Sequence, residues 1–320
     1  MFDWRAYEDG IYAFDAGYVR PILAAIHLIV DDGRVALVDT GSNDSLPNVL
    51  AALDKLGLTR EAVDYIILSH IHLDHAGGAG TLMRALPQAR LVVHPRGSRH
   101  MAEPSKLVAG VTAVYGKDYV DTVYGDILPI PADRIIDAHD GLVLPLGRRE
   151  LLCIDTPGHA KHHICVVDRQ AQAIFSGDMF GLSYREIDVD GRQFILPTTS
   201  PTQFDPAEMH ASIDRLMSFA PRFMYLTHYA QLHDVPAQAD ALRRRIDQFV
   251  AIALAHGADG DDRHATIKGA ITDYMIRELR AHGCTLPEDE IVAVLATDLE
   301  LNAQGLAHWF DHREGVKNLR

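Results

Sequence analysis

The densest chemistry in the chain is the string Leu68-Ser69-His70-Ile71-His72-Leu73-Asp74-His75-Ala76-Gly77-Gly78, with four metal-competent side chains in six residues. Imidazole nitrogens and carboxylate oxygens are the donors that borderline divalent ions accept. In extended backbone, residues two apart project to the same side, so His70 and His72 can converge on one ion. Asp74 and His75, on the turn that follows, can address a second ion. Gly77 and Gly78 are expected to let the chain turn sharply there. Three later elements repeat the theme. Thr156-Pro157-Gly158-His159, Ser176-Gly177-Asp178 and Thr227-His228-Tyr229 each set a metal-competent side chain just past an apolar run. Functional groups of α/β folds collect at such strand ends. A histidine-rich surface loop does not account for four of them.

The elements that must position these side chains can be read from periodicity. IHLIV (26–30), the turn Asp31-Asp32-Gly33 and VALVD (35–39) predict a β-hairpin. Leu46, Val49, Leu50, Leu53 and Leu56 share one helical face that ends at Gly57. The strand YIILS (65–69) runs straight into the first histidine string, followed by a helix over about 77–86 and a strand at LVVH (91–94). Residues 96–140 read as an excursion holding a helix from Ser105 to Tyr119. LLCID (151–155), HICVV (163–167), AIFSG (173–177) and FMYLT (223–227) are further strands, and 181–204 reads as a loop over the site. Asp205, Pro206 and Glu208 open a helix as cap, first-turn proline and capping-box partner, with Met209, Ile213, Leu216 and Met217 as its buried stripe. Beyond Pro236 strands cease. One helix carries Leu242, Ile246, Phe249, Val250 and Ala253, with Arg243 to Arg245 on its solvated face. After the polar linker GADGDDRH, further helices are expected at 265–281, 288–300 and 303–312. The alternation predicts an α/β catalytic domain over 1–235 and an all-helical region over 236–320.

Composition narrows the partners. The 30 basic and 44 acidic residues give a formal charge of -14, which repels phosphate backbones, so nucleic acid is not an expected partner. The start MFDWRAYEDG lacks the basic and apolar runs of a signal peptide, and no stretch reaches the roughly 18 apolar residues of a membrane span. Cys153, Cys165 and Cys284 read as small buried thiols, which fits a reducing cytoplasm. A small-molecule substrate is expected, with the helical region serving as pocket lid or homodimer contact.

His-x-His-x-Asp-His, followed in order by Pro-Gly-His, Ser-Gly-Asp and Thr-His, and preceded by VALVDTGS (35–42), resembles the metallo-β-lactamase superfamily over roughly residues 10–235. The resemblance implies an αββα sandwich, here with a C-terminal all-helical appendage. It implies that His70, His72 and His159 hold one metal, that Asp74, His75 and His228 hold a second, and that Asp178 bridges them. Asp39 would then hydrogen-bond the loop that carries the ligands. The donor set suits two divalent ions, Zn²⁺ first, with iron, manganese or cobalt as alternatives. Two such ions about 3.5–4 Å apart can share a water and lower its pKa, while one polarises a substrate oxygen. Asp74 would orient that nucleophile and shuttle its proton.

Tyr184 is a candidate donor to a developing oxyanion, with packing as its competing role. Lys161, Phe180, Tyr229 and His233 are weaker candidates for substrate contacts. His162 and His163 are expected to pack, although His162 can face the cleft. His27, His94 and the remaining histidines read as packed or solvated residues.

The expected activity is hydrolysis of an ester-type bond, in a lactone or carboxylester. A thioesterase similar to glyoxalase II is the nearest alternative, although the basic cluster that glutathione calls for is not evident. A mononuclear iron enzyme of the persulfide dioxygenase kind and a non-catalytic metal-containing effector are the others. Antibiotic hydrolysis fits poorly with the missing leader.

Overall fold

A computed structural model of the chain describes residues 3–199, 202–258 and 260–313. Two compact units emerge. The first comprises the chain up to Asp155 with His162–Gly177 and Pro221–Gln231; the second comprises Thr156–Lys161, Asp178–Ala220 and the chain from Leu232 onward.

The first unit contains both sheets. Strands β1 (Trp4–Ala6), β2 (Ile11–Asp15), β3 (Ala25–Asp31), β4 (Arg34–Val38), β5 (Val63–Ile67), β6 (Arg90–Val93) and β7 (Ile135–Asp137) lie side by side in chain order. Pairing is antiparallel as far as β4 and parallel from β4 to β7. The expected hairpin is present: β3 and β4 pair from His27↔Val38 to Asp31↔Arg34, around Asp32 (φ 49°) and Gly33 (φ 74°). Two positive-φ residues of this kind match the twist of the strands they join. The parallel crossovers carry α1 (Leu46–Lys55), α2 (Leu73–Ala76), α3 (Ala79–Ala85), α4 (Pro95–Ala102), α5 (Ser105–Tyr115) and α6 (Lys117–Val123). A single helix was expected across α5 and α6. Gly116 at φ 83° breaks it, a conformation that glycine adopts without penalty.

The second sheet runs β13-β12-β11-β10-β9-β8, with β8 Val143–Leu146, β9 Arg149–Asp155, β10 Ile164–Asp168, β11 Ala173–Gly177, β12 Phe223–Leu226 and β13 Ala230–Leu232. Ile29, Val38, Ile67 and Val92 of the first sheet form one buried cluster with Leu151, Cys153, Val166, Phe175 and Tyr225 of the second. Burying a side chain of this size contributes about 1.5–3 kcal/mol relative to exposure, so this layer is a substantial source of the unit's stability. Arg149 and Asp168, both buried, form an ion pair at 2.5 Å, and Arg149 also donates to the Asp9 carbonyl at 2.6 Å.

The second unit holds α7 (Pro206–Met217), α8 (Val235–His256), α9 (Arg263–His282) and α10 (Glu288–His312). Asp205 caps α7 as expected, its Oδ1 accepting from the Glu208 amide at 3.0 Å. Helices α8, α9 and α10 bury Leu242, Ile246 and Phe249, Ile267, Ile271 and Met275, and Leu295, Leu299 and Leu306. These spacings of three, four and seven mark a helical core face.

Three expectations change here. Helix α10 is one continuous element where a break after residue 300 was expected, because the side chain of Asn302 bonds to the 197–199 segment instead of competing for its own helix backbone. Arg245 is not on a solvated face. It is 8% exposed, ion-paired to Glu278 at 3.2 Å, donating to the Ile195 carbonyl and lying 3.8 Å over the Phe194 ring. The segment 181–204 has little regular structure but is packed within this unit; its residues 200 and 201, like residue 259 of the polar linker, lie outside the described residues.

The αββα sandwich and the helical carboxyl-terminal region expected from the sequence are both present. Among the described residues, no helix is long and apolar enough to cross a membrane.

Candidate metal centre

The site is built outward from Asp39, which directly follows β4 at φ 62° and is fully buried. Its Oδ1 accepts from the Ser69 amide at 2.8 Å. Its Oδ2 accepts from the Ser69 hydroxyl at 2.9 Å, the Thr227 hydroxyl at 2.6 Å and His75 Nδ1 at 2.7 Å. One carboxylate, carried just past β4, thereby joins the chain after β5, which bears His70 and His75, to the chain after β12, which bears His228. The expected role of Asp39 is realised. The sequence did not single out Ser69 and Thr227, although each is a hydroxyl residue immediately before a strand-end histidine.

Five of the expected ligands lie in this unit. His75 gives its Nδ1 proton to Asp39, which leaves Nε2 as the lone-pair nitrogen, 3.4 Å from Asp74 Oδ2. His228 donates from Nδ1 to the Leu23 carbonyl at 2.7 Å and turns Nε2 to the same Asp74 oxygen at 3.3 Å. A carbonyl or carboxylate on one imidazole nitrogen sets the tautomer that leaves the other free to ligate. Asp74, His75 and His228 form a group able to hold a metal ion. With bonds of 2.0–2.1 Å, a tetrahedral zinc site spaces its donors about 3.3 Å apart, so these separations fit such an ion. His70 and His72 turn to one another, Nε2 to Nδ1 at 2.8 Å, while His70 Nδ1 rests on the Ser69 hydroxyl at 3.1 Å.

The other two expected ligands lie in the second unit. His159 Nε2 stands 3.6 Å from Asp178 Oδ2, and both side chains are buried. His159 Nδ1 donates to the Thr198 carbonyl at 3.4 Å.

Two glycines allow close approach, and the reason differs from the one expected at Gly78. Its φ of -82° is ordinary, so no special turn is needed. A Cβ there would lie 2.4 Å from the Ser42 carbonyl oxygen, so glycine lets the ligand-bearing segment sit directly on the loop after Asp39. At Gly177 (φ 49°) a Cβ would lie 2.5 Å from Ser69 Cβ.

The charges are consistent with ligation. Asp74, with 25% of its side chain exposed, is pushed up by burial but pulled down further by His75 and by the His228 hydrogen bond, and ends well below the usual carboxylate range. Beside it stands an aromatic group the sequence did not reveal. Tyr18 and Tyr124 share a hydrogen bond at 2.6 Å and stack at 5.9 Å, Tyr119 meets Tyr124 edge-on at 6.2 Å, and Tyr115 stacks on Tyr119 at 5.3 Å. A Cβ at Gly77 would stand 3.4 Å from Tyr124 Cδ1, which places this cluster against the ligand segment. Burial first, and then the Asp74 charge, raise the phenols of Tyr18, Tyr115 and Tyr124.

The lesser candidates are placed as follows. Tyr184 is 1% exposed and donates to Asp298 Oδ1 on α10 at 3.1 Å. Phe180 is buried, Tyr229 is buried and donates to Asp3, and Lys161 and His233 are exposed. His163 stacks on His70 at 5.0 Å, and His162 lies edge-on to His72 at 5.6 Å.

Comparison with known proteins agrees with this fold. The sequence profile of the metallo-beta-lactamase superfamily matches residues 19–228, and the chain belongs to that family. The metallo-beta-lactamase fold-containing protein ST1585 of Sulfurisphaera tokodaii is 27% identical over 225 residues, covering 68% of this chain and 78% of that protein. A hydroxyacylglutathione hydrolase of Xanthomonas euvesicatoria is 30% identical over 249 residues, covering 77% of this chain and 75% of that one. Among solved structures, the metallo-beta-lactamase family protein TTHA1429 of Thermus thermophilus superposes with a TM-score of 0.66 at 21% identity. That match covers 95% of this chain and 93% of the other, so the likeness of fold reaches into the carboxyl-terminal helices.

Proposed function

We propose that the chain is a metal-dependent hydrolase that cleaves an ester-type bond, in a lactone or carboxylester, of a small molecule. The observation that carries this reading is the convergence of Asp74, His75 and His228 on one point, with the far nitrogen of each imidazole already committed to Asp39 or to the Leu23 carbonyl. Seven residues are proposed as ligands of two divalent ions: His70, His72 and His159 for one, Asp74, His75 and His228 for the other, with Asp178 shared. The joint role of His159 and Asp178 rests on the order of motifs in the sequence. Zinc is the first choice for both ions, and iron or manganese the alternatives. When bound, the ions supply Lewis-acid activation of water and of the acyl oxygen.

The protein's own groups do the rest. Asp74 is held ionised, so it presents a hydrogen-bond acceptor that orients the attacking water, and passing that proton to the leaving oxygen is its proposed further part. Asp39 keeps the His75 imidazole in its ligating tautomer, as the Leu23 carbonyl does that of His228. The tyrosine cluster supplies an aromatic wall beside Asp74, of which Tyr115 and Tyr119 are each 37% exposed, suited to an apolar acyl group. Tyr184, engaged with Asp298, is better placed to support the segment after Asp178 than to meet a substrate.

A thioester is the second reading, favoured by the 30% identity with a hydroxyacylglutathione hydrolase. A small-molecule substrate, in place of nucleic acid, is supported by the formal charge of -14, and a reducing cytoplasm by three buried free cysteines. The test is a screen of metal-loaded protein against lactone, carboxylester and thioester series beside Asp74→Ala. Turnover of one series by the wild type, lost in the variant, is expected. Equal product from both proteins contradicts the reading.

A further inference from the structure

The carboxyl-terminal helices contribute more than packing, because one of them carries a buried amide whose bonds lead to a ligand histidine. Asn302, midway along α10, is 3% exposed, and Thr199 is 1% exposed. Asn302 Oδ1 accepts from the Thr199 amide at 2.7 Å and from the Thr199 hydroxyl at 2.8 Å, and Asn302 Nδ2 donates to the Pro197 carbonyl at 3.3 Å. One carboxamide therefore grips the backbone on both sides of Thr198. The Thr198 carbonyl accepts from His159 Nδ1 at 3.4 Å, and the opposite nitrogen, Nε2, stands 3.6 Å from Asp178 Oδ2. A carbonyl oxygen brings no proton of its own, so the proton sits on Nδ1 and the lone pair on Nε2.

We propose that Asn302 is a positioning residue for the metal centre: it fixes the Thr198 carbonyl, which sets the tautomer and direction of the His159 ring. The inference rests on the reading of His159 as a metal ligand. Its physical basis is that an imidazole ligates well only when its other nitrogen is held, and that losing such an outer partner weakens a metal by about 10–100-fold. The segment 197–199 has no helix or strand of its own to keep the carbonyl in place, so the hold comes from α10. This also gives the buried Asn302 a reason to interrupt an otherwise apolar helix face between Leu299 and Leu306.

The test compares full-length wild type, Asn302→Ala and Asn302→Asp, each titrated with Co²⁺ against a competing chelator while the visible ligand-field bands are recorded. The aspartate keeps the oxygen that Thr199 addresses. In the alanine variant, one of two cobalt affinities is expected to fall about 10–100-fold with a changed band, while the aspartate variant, which keeps the acceptor for Thr199 but loses the donor to the Pro197 carbonyl, falls less than the alanine variant. A folded alanine variant with both affinities and both bands unchanged overturns the proposal and leaves the metal reading intact. A wild type that takes up no cobalt overturns both. Should the alanine variant fail to fold, ¹⁵N spectra of the metal-free wild type decide, with His159 assigned from His159→Gln. Nδ1 protonation supports the proposal and Nε2 protonation overturns it.

Discussion

His75 Nδ1 donates to Asp39 Oδ2 over 2.7 Å inside a fully buried pocket, and that carboxylate also gathers the Ser69 amide and the Ser69 and Thr227 hydroxyls. An acceptor-only group facing four donors cannot be replaced by an amide without turning an N–H toward a donor. Asp39→Asn is therefore expected to weaken metal binding by about 10–100-fold, with a lower melting temperature even in the metal-free protein. Chelator competition and thermal melts check this. Unchanged affinity would show that Asp39 does not organise the ligands.

His27 sits in the core, 1% exposed, edge-on to Phe175 at 5.5 Å and Tyr225 at 5.6 Å. Burial lowers its pKa to about 4, partly offset by the Asp39 charge. The folded pKa lies below the unfolded one, near 6.5, so in that interval the unfolded chain binds more protons. Stability from this group is complete above about pH 6.5 and is lost as pH falls toward about 4, by roughly 3 kcal/mol at most. Denaturant melts of wild type and His27→Phe at pH 5 and pH 8 should show a smaller loss on acidification in the variant. Identical pH dependence would refute the assignment.

Arg149 and Asp168 pair at 2.5 Å with side-chain exposures of 2% and 0%. Arg149→Met leaves the Asp168 carboxylate without its cation and the Asp9 carbonyl without a donor. A buried pair broken in this way typically costs about 3–5 kcal/mol, and urea unfolding of the first unit should register it. A loss below about 1 kcal/mol would mean that water reaches the pair.

The aromatic wall predicts substrate preference. Tyr115→Ala removes apolar surface beside Asp74 while leaving every proposed ligand in place. KM for esters of longer acyl chains is expected to rise about five- to tenfold, on the order of 1 kcal/mol, with little change for an acetyl ester. Steady-state kinetics across a chain-length series measure it. A uniform change at every length would assign Tyr115 no part in recognition.

Four of the proposed ligands were legible because each follows an apolar strand, and strand ends are fixed by local pattern: His70 after YIIL, His159 after LLCID, Asp178 after AIFSG and His228 after FMYL. Asp39 was legible for the same reason. What sequence could not show was pairing at long range. Tyr18 and Tyr124 share a hydrogen bond across 106 positions and Thr199 meets Asn302 across 103, with no periodicity linking either pair. Arg245 was misplaced because an arginine run suggests solvent, whereas Glu278 and the Phe194 ring stabilise one of the three within the second unit. Helix α10 was divided at residues 301 and 302, where asparagine weakens an isolated helix, and here Asn302 is buried and bonded to Thr199.

Metal content is the most direct measurement of the central claim. Zinc-loaded wild type, exhaustively dialysed and analysed by inductively coupled plasma mass spectrometry, is expected to retain two ions per chain, and His228→Ala about one. A wild type that retains no transition metal, or a single iron with oxygen consumed during turnover, would contradict it.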